Sequence, residues 1–493
     1  MAVAASGRLG KLRTEVRLPR STPKVIEFVA AALVVLAILT FITSYSAVSR
    51  TSDAVLRIGY TAKPSVVVAE KLNVALADMD AAITNSSLGS RKSWWRYVAD
   101  ADTAVAMAVE ASRNMGSDEG AAKSLRHVLS ELRTYYQFVG GANAIAENAD
   151  ADQKLPLTMT LWASHGLRQD VVPEVAGLAD RANAALETAY AEFQGNAESS
   201  IVLVMVTAIL FLVVLVGAQI FLARRTHRLI NVPMALGTGL LTLFMAWFLF
   251  ISLSDTNALA AAKEDSFASI LQLYRAKVAS YLMKADESMW LFEQRKVRSD
   301  YAESFAKRSR SILDIGNAYQ LALADLDKPT APVNEAEIER LKSVLADAER
   351  YAASGNYAEA ARLTPARIGG SLGVELAHLP GHPAERKAAT TAVTYFLRHI
   401  DIDTRIRTLE LAGHHAEAVR LAIGDNEGGS NWAFQGMNAA IDEIINLNDA
   451  QFQASIGSVS GHILLMMQVM AGALLGALLL GGLGLWQRYA EYR

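Results

Sequence analysis

The sequence predicts an all-α membrane protein with four transmembrane helices and two extracytoplasmic helical-bundle domains. Four apolar stretches each exceed the roughly 18–20 residues needed to cross a bilayer. Only 11 Pro and 32 Gly occur among 493 residues, 52% of which are hydrophobic, and long stretches lack both helix breakers. The segments between the apolar stretches space their apolar residues three or four apart, which is typical of amphipathic helices.

The apolar stretches define the predicted domain boundaries. Transmembrane helices are expected at residues 25–48, 201–223, 229–253 and 463–485, with helical bundles at 49–199 and 254–460. A basic tail (1–24), a short link (224–228) and a stub (486–493) make up the remainder. The first apolar stretch is longer than the roughly 7–15 residues of a signal-peptide core, so we expect it to stay in place as an anchor.

Basic residues indicate the orientation. Lys and Arg concentrate in the tail, in the link (Arg224, Arg225, Arg228) and in the stub. Because cytoplasmic loops carry the excess of Lys and Arg, both termini are predicted in the cytoplasm of a multi-pass cell-membrane protein. Membrane lipid is therefore an expected partner. The two outer segments are acidic, which argues against a nucleic-acid partner.

Apolar spacing predicts the helices of the outer segments. In the first segment, one helix from Trp94 towards Asn114 is expected to bury Val98, Val105 and Val109. The next helix is expected to bury Leu125, Val128, Leu129, Leu132, Tyr136 and Val139. No Gly or Pro occurs from Leu240 to Ile315, so one helix is expected to continue from the third span to about Trp290.

Two loops rich in Gly, Pro, Asn and Asp are the candidate surfaces for an outer partner or ligand, because loops on a rigid scaffold often bind. The candidate residues are Arg367, Gly369, Gly370, His378, His382, Asp425, Asn426, Ser430, Asn431 and Trp432. In the fourth span, Gly472 and Gly476 have the spacing of a helix-packing motif. Whether that contact lies within one chain or between two is open.

No catalytic, metal or cofactor site is predicted. Cysteine is absent, and no phosphate-binding loop, nucleophile elbow or zinc-hydrolase motif occurs. Pro380 and Gly381 separate His378 from His382 and remove the helical geometry of a metal site. Neither Asp78 with Asp80 nor Asp286 with Glu287 has a three- or four-residue offset, so a solvated helix face is expected for all four acids. The spans hold no clear ionisable residue, which argues against a transporter.

Three stretches resemble a known family. They are LWASHGLRQDVVPE from Leu161, KEDSFASILQLYRAKVASYLMKADESMWL from Lys263 and GGSNWAFQGMNAAIDEIINLNDAQF from Gly428. They are similar to the four-span membrane component that works with a glutamine-binding-type lipoprotein and protein kinase G in high-GC Gram-positive bacteria. The layout also resembles chemoreceptors, without their cytoplasmic signalling domain.

The resemblance implies a sensor without its own output domain. Such a sensor would relay extracellular nutrient status, amino acids in particular, from an extracytoplasmic solute-binding lipoprotein to a cytoplasmic serine/threonine kinase. A homodimer is a further possibility. The alternative is a structural or scaffolding membrane protein of an envelope assembly.

Overall fold

The computed structural model describes residues 22–115, 118–146, 154–226, 231–292, 295–314, 343, 369–378 and 383–490. Within these ranges the chain forms helices, and no β-strand occurs, which confirms the predicted all-α class. The helices are α1 (Thr22–Arg57), α2 (Lys63–Ser87), α3 (Arg91–Met115), α4 (Glu119–Ala146), α5 (Lys154–Gly166), α6 (Val172–Thr226), α7 (Val232–Ala261), α8 (Ala268–Phe292), α9 (Arg295–Ile312), α10 (Gly370–His378), α11 (Pro383–Leu411), α12 (His415–Ala422) and α13 (Ser430–Ala490).

Three wide π-helical turns join pairs of these helices without a break. They are π1 (Ile58–Ala62) between α1 and α2, π2 (Leu167–Val171) between α5 and α6, and π3 (Ala262–Phe267) between α7 and α8. The helix predicted to continue from the third span to about Trp290 is thereby confirmed over Val232–Phe292. Such turns insert an extra residue into an α-helix and are frequent at functional sites.

Four long helices each contain a window that is long and apolar enough to cross a membrane. They run over Lys24–Ser87, Leu155–Arg225, Val232–Phe292 and Ser430–Ala490. The four windows indicate a multi-pass membrane protein. The basic tail up to residue 21, residues 227 and 228 of the link, residues 229 and 230 of the third predicted span and the last three residues of the stub lie outside the described residues.

The chain divides into two compact units. The membrane unit comprises Met1–Ala54, Ala191–Asn257 and Ser458–Arg493, and the large unit comprises Val55–Tyr190 and Ala258–Gly457. The two segments that the sequence assigns to separate bundles thus belong to one compact unit in the structure.

The membrane unit buries large side chains and also exposes many. Phe211 and Phe248 lie in its core, whereas Leu243 and Phe250 are 67% and 69% exposed. Apolar side chains on both sides of a helix suit a lipid environment. The polar Gln219 of α6 donates to the Met234 carbonyl of α7 at 3.0 Å, which joins two helices of this unit.

In the large unit, α2 and α8 pack against each other and are buried on almost every side. Leu72, Leu76 and Met79 of α2 and Leu273 and Met283 of α8 are fully buried. A helix that is buried all round places its polar residues in the interior as well. These two helices therefore determine where the buried charges of the unit lie.

The predicted buried face of α3 is wrong. Val98, Val105 and Val109 are exposed, whereas Ala104 and Ala108 are fully buried. Small side chains allow α3 to lie close against α2, so alanine forms the contact and valine faces outwards. For α4 the prediction is correct for four residues that are buried (Leu125, Val128, Leu132 and Val139) and wrong for Leu129, which is exposed.

Candidate functional site

A cavity of about 600 Å³ lies in the large unit among α2, α3, α8 and the first turns of α13. Sites for small molecules usually measure roughly 300–1,000 Å³. Both chain segments of the unit line this cavity, which we call the pocket. Its lining residues include charged groups (Asp78, Lys92, Arg96, Lys284, Asp425, Asp442), amides (Asn85, Asn431, Gln435, Asn438) and aromatic rings (Trp95, Tyr281, Phe434).

Arg96 is the central cation of the pocket. Its Nη2 lies 2.9 and 3.0 Å from the two carboxylate oxygens of Asp78. The guanidinium lies over the rings of Tyr281 and Phe434, 5.6 and 5.9 Å from their centroids. Because α3 carries Arg96 and α2 carries Asp78, the pair joins two neighbouring helices at the pocket wall.

The carboxylates beside Arg96 are incompletely compensated. Burial raises the pKa of Asp78, although Arg96 opposes this effect. Burial, together with repulsion from Asp78, raises the pKa of Asp100 to about 7. The Asp100 carboxylate lies 3.8 Å from Nε of Arg96. Two acidic groups thus share one guanidinium, so one of them can bind a proton near neutral pH.

Residues near the start of α13 form the opposite wall. Asp425 lies 3.3 Å from Lys92, and Asp442 accepts a hydrogen bond from Lys277 at 2.5 Å. Asn85 of α2 donates to the side-chain oxygen of Asn431 at 3.1 Å. The wall is therefore tied to both segments of the large unit by polar contacts.

Next to the pocket lies a largely buried group of charged and polar side chains, which we call the ion network: Asp80, Arg168, Lys284, Asp286, Glu287, Arg308, His399 and Ser430. Arg168, in π2, donates to Asp80 of α2 and to Asp286 of α8, each at 2.6 Å. Arg308 of α9 binds the second oxygen of Asp286. One arginine thus bridges the two most buried helices of the unit.

Glu287 forms the second half of the ion network. It accepts hydrogen bonds from Lys284 at 2.5 Å and from Ser430 at 2.8 Å, and it lies 3.0 Å from His399 Nε2. Burial alone would raise the pKa of Glu287, but Lys284 and His399 outweigh burial and lower the pKa to about 2. Lys284 also lines the pocket, so it belongs to both clusters.

The solvated face expected for Asp78, Asp80, Asp286 and Glu287 is wrong. Asp80, Asp286 and Glu287 are fully buried, and the Asp78 side chain is only 14% exposed. The local offset between two acids reports whether they share a helix face, and it carries no information about distant partners. Asp78 meets Arg96 of α3, and Asp80 and Asp286 share Arg168. Glu287 meets Lys284 of its own helix and His399 of α11.

The second candidate loop, residues 424–431, contributes to both the pocket and the ion network. Asp425 and Asn431 line the pocket, and Ser430 binds Glu287. Trp432 packs edge-on against Tyr395, with ring centroids 5.2 Å apart. Asn426 is exposed in the turn that precedes α13.

The first candidate loop, residues 365–383, has a structural role within the part that the structure describes, residues 369–378 and 383. Gly369 pairs with the backbone of Asp314, and Gly370 begins α10 with φ +79°. A Cβ at Gly370 would lie 2.8 Å from the backbone of Ile312, so a larger residue would not fit. His378 ends α10, whereas Arg367 and His382 lie outside the described residues.

The two candidate packing glycines differ. A Cβ at Gly476 would lie 2.8 Å from Cδ2 of Leu240 on α7 of the same chain. No atom lies within 4 Å of a Cβ built at Gly472. Gly476 thus allows two helices of the membrane unit to approach closely.

Sequence reasoning missed Arg96, Trp95 and Tyr281 as pocket residues. Arg96 lies 18 residues from Asp78 and 185 from Tyr281 along the chain. One usable signal was that apolar residues outnumber polar ones from Val66 to Ile83 of α2 and fall on every side of the helix, which indicates that its acids are buried. Spacing within a single helix could not identify partners at such separations.

Comparison with known proteins gives one match. Residues 54–191 match the family model of the actinobacterial sensor domain. No curated protein and no solved structure matches the chain. The matched segment carries Asp78, Asp80, Arg96 and Arg168, which belong to the pocket and the ion network. The match supports a sensor of actinobacteria, and this family suggests a non-catalytic role.

Proposed function

We propose that this chain is a transmembrane sensor, which relays extracellular amino-acid status to a cytoplasmic serine/threonine kinase. A solute-binding lipoprotein outside the membrane is the proposed upstream partner. The observation that carries the proposal is the pocket, because its wall includes Asp78 and Arg96 from the segment that matches a sensor domain.

The continuity of the long helices supports a relay. Helical structure runs without a break from apolar windows into α2, α8 and the start of α13, which carry pocket residues. A ligand can change a conformational equilibrium only through its different affinities for the two states. Helix shifts of about 1–2 Å are a common form of such a change.

The proposed output through a separate protein follows from the short link. Residues 224–228 join the second and third predicted spans, and five residues cannot fold into a domain. A bound kinase would therefore read the arrangement of the spans.

Thiol labelling tests the proposed orientation. The native chain has no cysteine, so single cysteines can be introduced at Glu427 in the large unit and at Arg225 in the link. In intact cells, an impermeant thiol reagent should label the cysteine at Glu427 and leave that at Arg225 unlabelled. Labelling at Arg225 alone would contradict the orientation.

A response assay tests the relay. In cells that lack the native chain, a wild-type copy should restore an amino-acid-dependent change in phosphorylation of the kinase's substrates. A copy whose exposed residues 425–427 are replaced by Ser-Gly-Ser should insert normally and fail to respond. Trp162→Ala, a change at an exposed residue outside the pocket, is the control. An unchanged response in cells without the chain would reject the sensor function and favour the scaffold.

A further inference from the structure

We infer that the pocket itself binds a small zwitterion of the α-amino-acid class, with the ligand carboxylate on Arg96 and Lys92 and its ammonium group on Asp442. This inference deepens the proposed sensor function and rests on it for its physiological meaning. It assigns a direct ligand site to this chain, whatever a lipoprotein partner contributes.

The balance of charge in the pocket points to a zwitterion. Three acidic residues (Asp78, Asp425, Asp442) and three basic residues (Lys92, Arg96, Lys284) line it, and the Lys284 ammonium is held by Glu287. A phosphate or other anion would meet three carboxylates, and a polyamine would meet the cations of Lys92 and Arg96. A ligand that carries both charges can satisfy both walls at once.

The basic wall suits a carboxylate. Lys92 and Arg96 are four residues apart on α3, so both lie on one face of the helix. The described contacts of Arg96 with Asp78, Tyr281 and Asp100 are made by Nη2 and Nε. None of these contacts uses Nη1, so Nη1 can donate to a ligand. The side chain is 32% exposed, and a guanidinium has five N–H donors.

The acidic wall suits an ammonium group. Asn431, Asn438 and Asp442 lie seven and four residues apart along α13, so they follow one another on a single face. Asp442 contacts Lys277 yet remains 51% exposed. The buried amides of Asn431 and Asn438 bond within the protein and hold this wall in place. The exposed ring of Trp95 offers an apolar contact to a ligand.

Thermal unfolding of the full chain in nanodiscs provides the first test. Each standard L-amino acid is added alone at millimolar concentration, and at least one should raise the Tm, since a ligand that binds only the folded state stabilises it. The N-acetyl and carboxamide derivatives of that amino acid, which lack the ammonium or the carboxylate, should bind roughly 10–100-fold more weakly.

Variants locate the site. Arg96→Gln and Asp442→Asn should each weaken binding of the active amino acid roughly 10–100-fold. Trp95→Ala should weaken it less. Trp162→Ala is the matched control for Trp95→Ala. Trp162 is 65% exposed and Trp95 is 69% exposed, and Trp162 does not line the pocket. The exposed Arg405 provides the control Arg405→Gln.

The outcomes separate this inference from the proposed function. Should no amino acid raise the Tm while cells still respond, direct binding is wrong and the relay stands. Stabilisation without a cellular response supports the pocket and rejects the relay. Equal affinity in all variants and controls rejects this pocket as the site. If Arg96→Gln does not fold, Asp442→Asn and Trp95→Ala decide the question.

Discussion

The pocket and the ion network are neighbouring charge clusters of the large unit, and their carboxylates are compensated to different degrees. In the ion network, Asp286 binds two arginines, and the pKa of Glu287 is lowered to about 2. Beside the pocket, burial raises the pKa of Asp78 and brings that of Asp100 to about 7. Arg96 alone faces both of these carboxylates.

This difference separates a cluster that fixes the fold from one that can respond. Buried charges that meet partners of opposite charge from several helices favour a single arrangement of those helices. Carboxylates with raised pKa values are stabilised when they bind a proton or an ammonium group. Lys284 contacts Glu287 and also lines the pocket, so a change in one cluster can reach the other.

The largest predicted effect follows from breaking the ion network. Asp286→Asn removes the carboxylate that binds Arg168 and Arg308, and it leaves buried cations without their full compensation. Removal of one partner from a buried ion pair typically costs about 3–5 kcal/mol. We expect a loss of that size in the free energy of unfolding, measured by thermal or denaturant unfolding in detergent.

The matched control is Asp300→Asn, since Asp300 is exposed on α9. It should change the free energy of unfolding by less than about 0.5 kcal/mol. Equal losses in the two variants would show that the ion network does not fix the fold.

How far the sequence predicts these features depends on the range of the interactions. The four spans follow from the composition of contiguous stretches, so the presence of four helices apolar enough to cross a membrane could be predicted. Arg168 lies 88 residues from Asp80 and 118 from Asp286, and no periodicity links them. Asp425 and Asn431 were candidates because loops often bind, whereas their contacts with Lys92 and Asn85 depend on tertiary packing.

The second prediction uses pH to distinguish the clusters. The folded pKa of Asp100, about 7, lies above its usual value, so Asp100 lowers stability as pH rises from about 4 to 7. The pKa of Glu287 is lowered instead, so its contribution is lost as pH falls from about 4.5 towards 2. Asp100→Asn should therefore be roughly 1–3 kcal/mol more stable than wild type at pH 8 and nearly equal to it at pH 4.

Unfolding curves of both proteins across this pH range give the measurement. Asp102→Asn, at an exposed position on the same helix, is the control, and its difference from wild type should stay nearly constant. A pH-independent difference for Asp100→Asn would mean that Asp100 is fully compensated and that the two clusters do not differ.

The smallest predicted effect concerns the exposed edge of the pocket. Lys92 and Asp425 lie 3.3 Å apart, with side chains 67% and 32% exposed. Solvent screens such a pair, so it contributes about 0–1 kcal/mol. A double-mutant cycle of Lys92→Gln and Asp425→Asn should therefore give a coupling energy below about 1 kcal/mol.

The pair Lys263–Glu187, 2.7 Å apart and 31% and 49% exposed, is the control outside the pocket, and its cycle should give a similarly small value. Lys92→Gln should still weaken amino-acid binding, and more so at low ionic strength, because screening of a charge near the surface grows with salt. A coupling energy near 3 kcal/mol would place Lys92 and Asp425 within the fixed core rather than at a responsive edge.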